Sequence, residues 1–131
     1  MKIVIIDGQG GRMGKAVIEQ LKSSYPELEL YAIGTNSIAT SAMLKAGASY
    51  GATGENPVIV NARNADLIIG PIGIVMADSL MGEITAAMAT AVSLWSPVII
   101  TVLMPACFAS ATALTDSGLG GSTMEISPRN T

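Results

Sequence analysis

One stretch constrains the fold of this chain more than any other: Ile3-Val4-Ile5-Ile6-Asp7-Gly8-Gln9-Gly10-Gly11-Arg12-Met13-Gly14-Lys15, an apolar run that stops at a cluster of glycines and restarts as a helix. Consecutive β-branched residues bounded by a turn signal mark a strand buried on both faces, the kind found in parallel sheets. Met13, Ala16, Val17 and Leu21 then recur at helical spacing, which puts the glycines in the turn between strand and helix. In that position, free N–H groups at the start of the helix are suited to hold a phosphate.

Gly8, Gly11 and Gly14 stand three apart, while Gly8 and Gly10 also match the first two positions of G-x-G-x-x-G and leave Met13 at the third. Glycine serves first to make the tight turn, next to let the backbone approach a pyrophosphate, and last to let the helix pack closely on the strand. The alternative is a tight turn that binds nothing. The string Gly11-Arg12-Met13-Gly14 resembles the dinucleotide loop of dihydrodipicolinate reductase over roughly the first thirty-five residues, and the resemblance implies a place for Arg12 near cofactor phosphates.

The next segments continue a βαβ pattern. Residues 28–33 read as a second strand closed by Gly34, and Thr35-Asn36-Ser37 supply N-cap side chains for a helix over 38–46, stopped by Gly47. A weak third strand is expected at 48–50. Asn56 at the cap and Pro57 in the first turn start a short helix through 64, with a strand over 58–61 as the alternative. Residues 66–69 form a strand that runs into a second glycine-bearing loop, Gly70-Pro71-Ile72-Gly73. From 74 to 95 the spacing predicts two helices broken at Gly82, and 98–103 reads as the best late strand. The last dozen residues, glycine-rich at Gly118, Gly120 and Gly121, read as a flexible tail.

These segments, from Ile6-Asp7-Gly8-Gln9-Gly10-Gly11 through Gly34-Thr35-Asn36 and Gly51-Ala52-Thr53-Gly54 to Gly70-Pro71-Ile72-Gly73-Ile74, resemble a family of small bacterial proteins known only as a domain of unknown function. The match spans roughly residues 2–104 and departs after Met104. It implies a Rossmann-like fold and carries no established activity.

Composition narrows the chemistry. The chain has no histidine and a single cysteine, Cys107, which excludes an intramolecular disulfide, a Cys/His zinc site and every histidine-based acid/base mechanism. With no histidine beside it, Cys107 is expected to be an inert thiol. A net charge of −3 offers no basic patch for nucleic acid. Residues 84–115 lack charge, but Pro97 and Pro105 interrupt them and Glu83 and Asp116 flank them, so a buried helix and strand are expected in place of a membrane span. Asp7 cuts the N-terminal apolar run short of a signal-peptide core, and a cytoplasmic protein is the default.

The expected architecture is a three-layer α/β sandwich on a mostly parallel sheet of four or five strands, with residues 1–106 as a nucleotide-binding domain and 107–131 as a partly flexible segment. Its ligand crevice should lie at the carboxyl ends of the first and fourth strands. That brings Gly8, Gln9, Gly10, Gly11, Arg12 and Met13 together with Gly34, Thr35, Asn36, Ser37 and with Gly70, Pro71, Ile72, Gly73. The carboxylate that takes the ribose hydroxyls of NAD is missing after the second strand, where Thr35-Asn36-Ser37 would tolerate a 2′-phosphate or serve only as a helix cap. Asp78 and Glu83 are five apart and share no helical face, so solubility or capping accounts for them. The expected function is binding of NADP, NAD or another nucleotide by its phosphate, in a homo-oligomer, with no metal. The alternative is a minimal NAD(P)-dependent oxidoreductase whose active site is completed across an oligomer interface, the cofactor carrying the hydride chemistry.

Overall fold

The structure, a computed structural model, describes residues 1–95, 98–102 and 124–128. The glycine-bounded apolar run forms β1 (Ile3–Asp7), every residue of which is buried. It is followed by α1 (Arg12–Ser24), β2 (Leu30–Gly34), α2 (Ser37–Lys45), β3 (Tyr50–Thr53), α3 (Glu55–Asn64), β4 (Leu67–Pro71), a 3-10 turn (Ile72–Val75), α4 (Ala86–Trp95), β5 (Val98–Val102) and β6 (Met124–Pro128). One sheet runs in the order β3-β2-β1-β4-β5-β6. The first five strands in that order are parallel, and β6 joins β5 antiparallel.

Alternation along the strands builds a core on each face of this sheet. Val4, Ile6, Ile33 and Ile68 pack with Val58 and Ala62 of α3 and with Met88 and Val92 of α4. Ile3, Ile5, Leu30, Ala32 and Ile69 pack on the other face with Met13 and Ile18 of α1 and with Ala39 and Met43 of α2. The result is a Rossmann-like three-layer sandwich. Each fully buried Ile, Leu or Met contributes about 1.5–3 kcal/mol of apolar transfer, so the helices are held by the faces they bury. The chain winds from β1 outward to β3, then returns to β4 on the other side of β1, and the loops after β1 and β4 leave a crevice between them.

Several elements differ from the sequence reading, β2 among them, which starts at Leu30. β3 lies at Tyr50–Thr53, two residues later than its expected start. α3 begins at Glu55 with Gly54 as its N-cap, at φ 109, so Asn56 lies inside the first turn and does not cap it. The first of the two helices expected over 74–95 does not form. Asp78, Leu80 and Met81 take left-handed backbone conformations at φ 66, 53 and 56, followed by Gly82 at 87, and consecutive left-handed residues cannot continue a right-handed helix. Tertiary anchorage fixes this loop: the N–H of Asp78 donates to the carbonyl of Ile84 at 2.7 Å, the Ser79 hydroxyl donates to the carbonyl of Gly73, and Ile84 is fully buried.

No helix among the described residues is long and apolar enough to cross a membrane, and α4, within the uncharged stretch, is 10 residues long. β6 falls inside the stretch expected as a tail. Cys107 and the late glycines lie outside the described residues.

Candidate functional site

Asp7 ends β1 and organises the loop that follows. One carboxylate oxygen accepts from the N–H of Gly8 at 2.8 Å and the other from the N–H of Gly14 at 2.7 Å. The Met13 N–H also faces it. An acid at the end of a buried strand thus ties the strand to the first turn of α1, on the end of the helix dipole that favours negative charge. Burial pushes the Asp7 carboxyl above its ordinary value; the N–H groups of Gly14, Gly8 and Met13 oppose the rise, and the charge of Glu83 adds to it. Sequence reasoning gave Asp7 no part in the site. Its signal was there, an ionisable residue closing an otherwise uninterrupted apolar run.

The glycines divide by role. Gly11 sits at φ +70, its N–H donates to the Gly8 carbonyl at 2.9 Å, and a Cβ on it would lie 2.7 Å from the Cα of Ala39. It is required by the turn and by the close approach of α2. A Cβ on Gly14 would run into the Met43 side chain and stand 3.1 Å from the Cβ of Asp7, so this glycine serves helix packing. Gly10 differs. It is exposed, and a Cβ built on it would meet nothing within 4 Å. Among the described residues neither its N–H nor that of Arg12 donates to a protein acceptor.

A cavity of about 440 Å³ opens over this loop, lined by Asp7, Gly8, Gln9, Gly10, Gly11, Arg12 and Met13 and, from across the crevice, by Pro71 and Leu80. That volume lies within the range of small-molecule sites. The Arg12 guanidinium at its rim is exposed and makes no ion pair among the described residues.

The largest departure from the sequence reading is Glu83. Carried by the left-handed loop after β4, its Oε2 accepts from the N–H of Gln9 at 2.8 Å, from Asn36 Nδ2 at 3.2 Å and from the Thr35 hydroxyl. A carboxylate therefore does stand at the carboxyl end of β2, delivered from a distant segment. Burial works against its ionisation, but the hydrogen bonds from Thr35, Gln9 and Asn36 outweigh that and hold its carboxyl below the ordinary range. Sequence spacing ruled out a shared helical face for Asp78 and Glu83, which is correct locally and silent about contacts 74 residues away.

The remaining expected residues separate. Thr35 and Asn36 do not line the cavity but hold Glu83 beside it, and Asn36 also caps α2, its Oδ1 accepting from the Ala39 N–H at 2.9 Å while its Nδ2 donates to the Gln9 carbonyl at 2.9 Å. Capping and site geometry are thus one arrangement. Gly34 is packed, since a Cβ there would stand 2.6 Å from the backbone nitrogen of Thr40. Ser37 is exposed beside a separate shallow depression shared with Lys15, Ile38 and Lys45. Gly70 is buried against Ile74, and Gly73 against Ser79, so both serve packing. Ile72 is 46% exposed and does not line the cavity.

A family model described as a domain of unknown function, DUF3842, matches residues 2–115. The chain belongs to this family. No curated protein matches it. In this DUF3842 chain the glycine loop is tied on both sides by its own acids: Asp7 takes the N–H groups of Gly8 and Gly14, and Glu83 takes that of Gln9. What remains for a ligand is the backbone of Gly10, the N–H and guanidinium of Arg12, and the outward oxygen of Glu83. Two N–H donors beside an exposed cation suit an anionic group, while the carboxylate oxygen suits a hydroxyl.

Proposed function

We infer that this protein binds a nucleotide or dinucleotide, with ligand phosphate on the backbone of Gly10 and Arg12 and under the Arg12 guanidinium. The observation that carries the reading is Gly10, open on its ligand side and with an unpaired N–H among the described residues, in a loop whose other donors are occupied. A structural turn has no need to leave that position clear. The position of the cavity, between the loops after β1 and β4, agrees with the rule that open parallel sheets bind ligands where the strand order reverses.

The chain supplies no histidine and, among the described residues, no acid pair placed on a common reacting atom, so binding without catalysis is the reading adopted. In the oxidoreductase alternative a nicotinamide cofactor would bring the hydride chemistry, and this chain's residues would only hold and orient it. Exposed Ile72, Met76 and Met81 on the loop after β4 support the accompanying proposal of a homo-oligomer.

A thermal-shift screen against NAD, NADP, ATP, GTP, FAD and S-adenosylmethionine tests the reading. A ligand at a hundred times its Kd stabilises by about 2.7 kcal/mol and raises Tm by roughly 10 °C for a domain of this size. No shift with any of them, at millimolar ligand, rejects nucleotide binding.

A further inference from the structure

The fingerprint for NAD places a carboxylate at the end of the second strand, where it accepts hydrogen bonds from the ribose hydroxyls. Strand β2 ends here in Gly34, followed by Thr35, Asn36 and Ser37, and no acid is present in that loop. We propose that Glu83, reaching over from the loop after β4, is the ribose-recognising carboxylate of this site, and that it makes the protein select an adenine nucleotide with free 2′- and 3′-hydroxyls, NAD over NADP. The proposal rests on the nucleotide reading above and adds to it the residue and the ligand class.

Four observations carry it. Glu83 stands over Gly8, the first glycine of the loop: a Cβ on Gly8 would come within 2.6 Å of Glu83 Oε2 and 2.7 Å of Thr35 Oγ1. A ligand with phosphate at Gly10 and its nucleoside directed toward β2 passes that point. Secondly, all three donors that hold the carboxylate converge on the one oxygen, Oε2. Among the described residues the other oxygen, Oε1, has no hydrogen-bond partner, and because no buried side-chain oxygen there lacks one, Oε1 is accessible to solvent. It is a fixed acceptor with its lone pairs unused, and a vicinal diol offers the donors it lacks.

Thirdly, the carboxylate is held ionised by those same hydrogen bonds, so it is an acceptor only and carries full charge near neutral pH. A 2′-phosphate brought beside it would meet like charge. Fourthly, the segment after β2 brings no cation to that point: residues 35–44 contain no lysine or arginine, and Lys15 and Lys45 lie with Ser37 around the separate depression, whereas sites for a 2′-phosphate bring an arginine to it. Glu83 is also a rigid fixture. Its neighbour Ile84 is fully buried, and the Ile84 N–H donates to the Ser79 carbonyl at 3.3 Å.

Isothermal titration calorimetry on the full chain decides the matter, using ADP, 2′-deoxy-ADP, NAD and NADP against wild type and Glu83→Gln. Wild type is expected to bind ADP about tenfold more tightly than 2′-deoxy-ADP and NAD at least tenfold more tightly than NADP, because a hydrogen bond to a charged group is lost in one comparison and like charges meet in the other. In Glu83→Gln both ratios are expected to fall to about threefold or less. The ligand-side comparison on wild type stands by itself should the variant fail to fold. Equal affinities for the two diphosphates in wild type, a preference for NADP, or an unchanged NAD preference in a folded Glu83→Gln overturns the ribose role and leaves the phosphate reading intact. Absence of heat with all four ligands on wild type overturns both.

Discussion

The Thr35 hydroxyl donates to the carboxylate of Glu83 across 48 residues of sequence, joining the end of β2 to the loop that follows β4. The same carboxylate oxygen accepts from the N–H of Gln9, so three loops of the crevice meet at one atom. Thr35→Val should therefore loosen the carboxylate without removing it. A hydrogen bond to a charged group is worth about 1.5–3 kcal/mol, less at this partly exposed position, and the expected loss is no more than about 1 kcal/mol in stability with a several-fold weaker nucleotide affinity. Urea denaturation and calorimetry on the one variant read both.

Gly10 and Gly11 should respond oppositely to substitution. Gly10→Val meets open space, so its denaturation midpoint should match wild type while nucleotide affinity falls at least tenfold. Gly11→Ala places a Cβ at φ +70 against the backbone of Ala39, and about 3 kcal/mol of stability should be lost. Full nucleotide affinity in a folded Gly10→Val would show that the ligand does not approach this backbone.

Asp7→Ala leaves the N–H groups of Gly8 and Gly14 without their acceptor in a buried turn. An unsatisfied buried donor costs about 1–3 kcal/mol, and two are exposed by this change, so a loss of about 3 kcal/mol is expected in chemical denaturation. Asp7→Asn keeps one acceptor oxygen and should lose less. If Asp7→Ala were as stable as wild type, the carboxylate would not be what ties β1 to α1.

The two acids give opposite pH dependences. Glu83 is held below its ordinary 4.5, so its contribution to stability is present above that value and is lost as the pH falls through the folded value. Asp7 is raised above its ordinary 3.8, chiefly by burial, so it favours the folded state while neutral and that contribution is lost as the pH rises from 3.8 through the folded value. Glu83→Gln removes the first effect and reduces the second only slightly, since Glu83 is the least of the causes raising Asp7. The variant's stability should therefore fall as pH rises from about 4, where wild type changes less. Denaturation at pH 3.5, 4.5, 5.5 and 7 measures the slope, and a steeper acid loss in the variant would contradict the assignment of Glu83 as the depressed group.

Ile84→Ala should weaken a ligand it never touches. Ile84 is fully buried beneath the loop that carries Glu83, and truncating a buried isoleucine costs about 2–5 kcal/mol. With the anchor reduced, the NAD preference expected above should shrink while the helical circular dichroism stays that of wild type.

Where the signal was local, the sequence carried it. The β-branched run of β1, the glycine turn, the helical spacing of α1 and the Asn36 cap of α2 are all settled within a few residues of themselves. The loop at 76–84 was not legible in this way. Its apolar spacing reads as a helix, and what prevents one is a set of left-handed residues held by contacts to Gly73 and Ile84. Pairing moved β3 as well, because its register against Tyr31, Ala32 and Ile33 decides where it starts. In the site, the glycines announced where the cavity opens, but four glycine positions that look alike in sequence divide into three that admit a neighbouring element and one that faces open space. Glu83 was invisible as a site residue because nothing within its own segment points to residue 9 or 35.

The return of the chain from β3 to β4, on the other side of β1, makes assembly of this crevice a late event. A nascent chain that has completed β1, α1, β2 and α2 already owns every glycine of the loop, the Asp7 tie and the Asn36 cap, yet the carboxylate and the Pro71 wall arrive only after β4 has docked beside β1. Under the proposed nucleotide reading, recognition is a report on completion: incomplete chains retain the glycine motif and lack the carboxylate and the Pro71 wall.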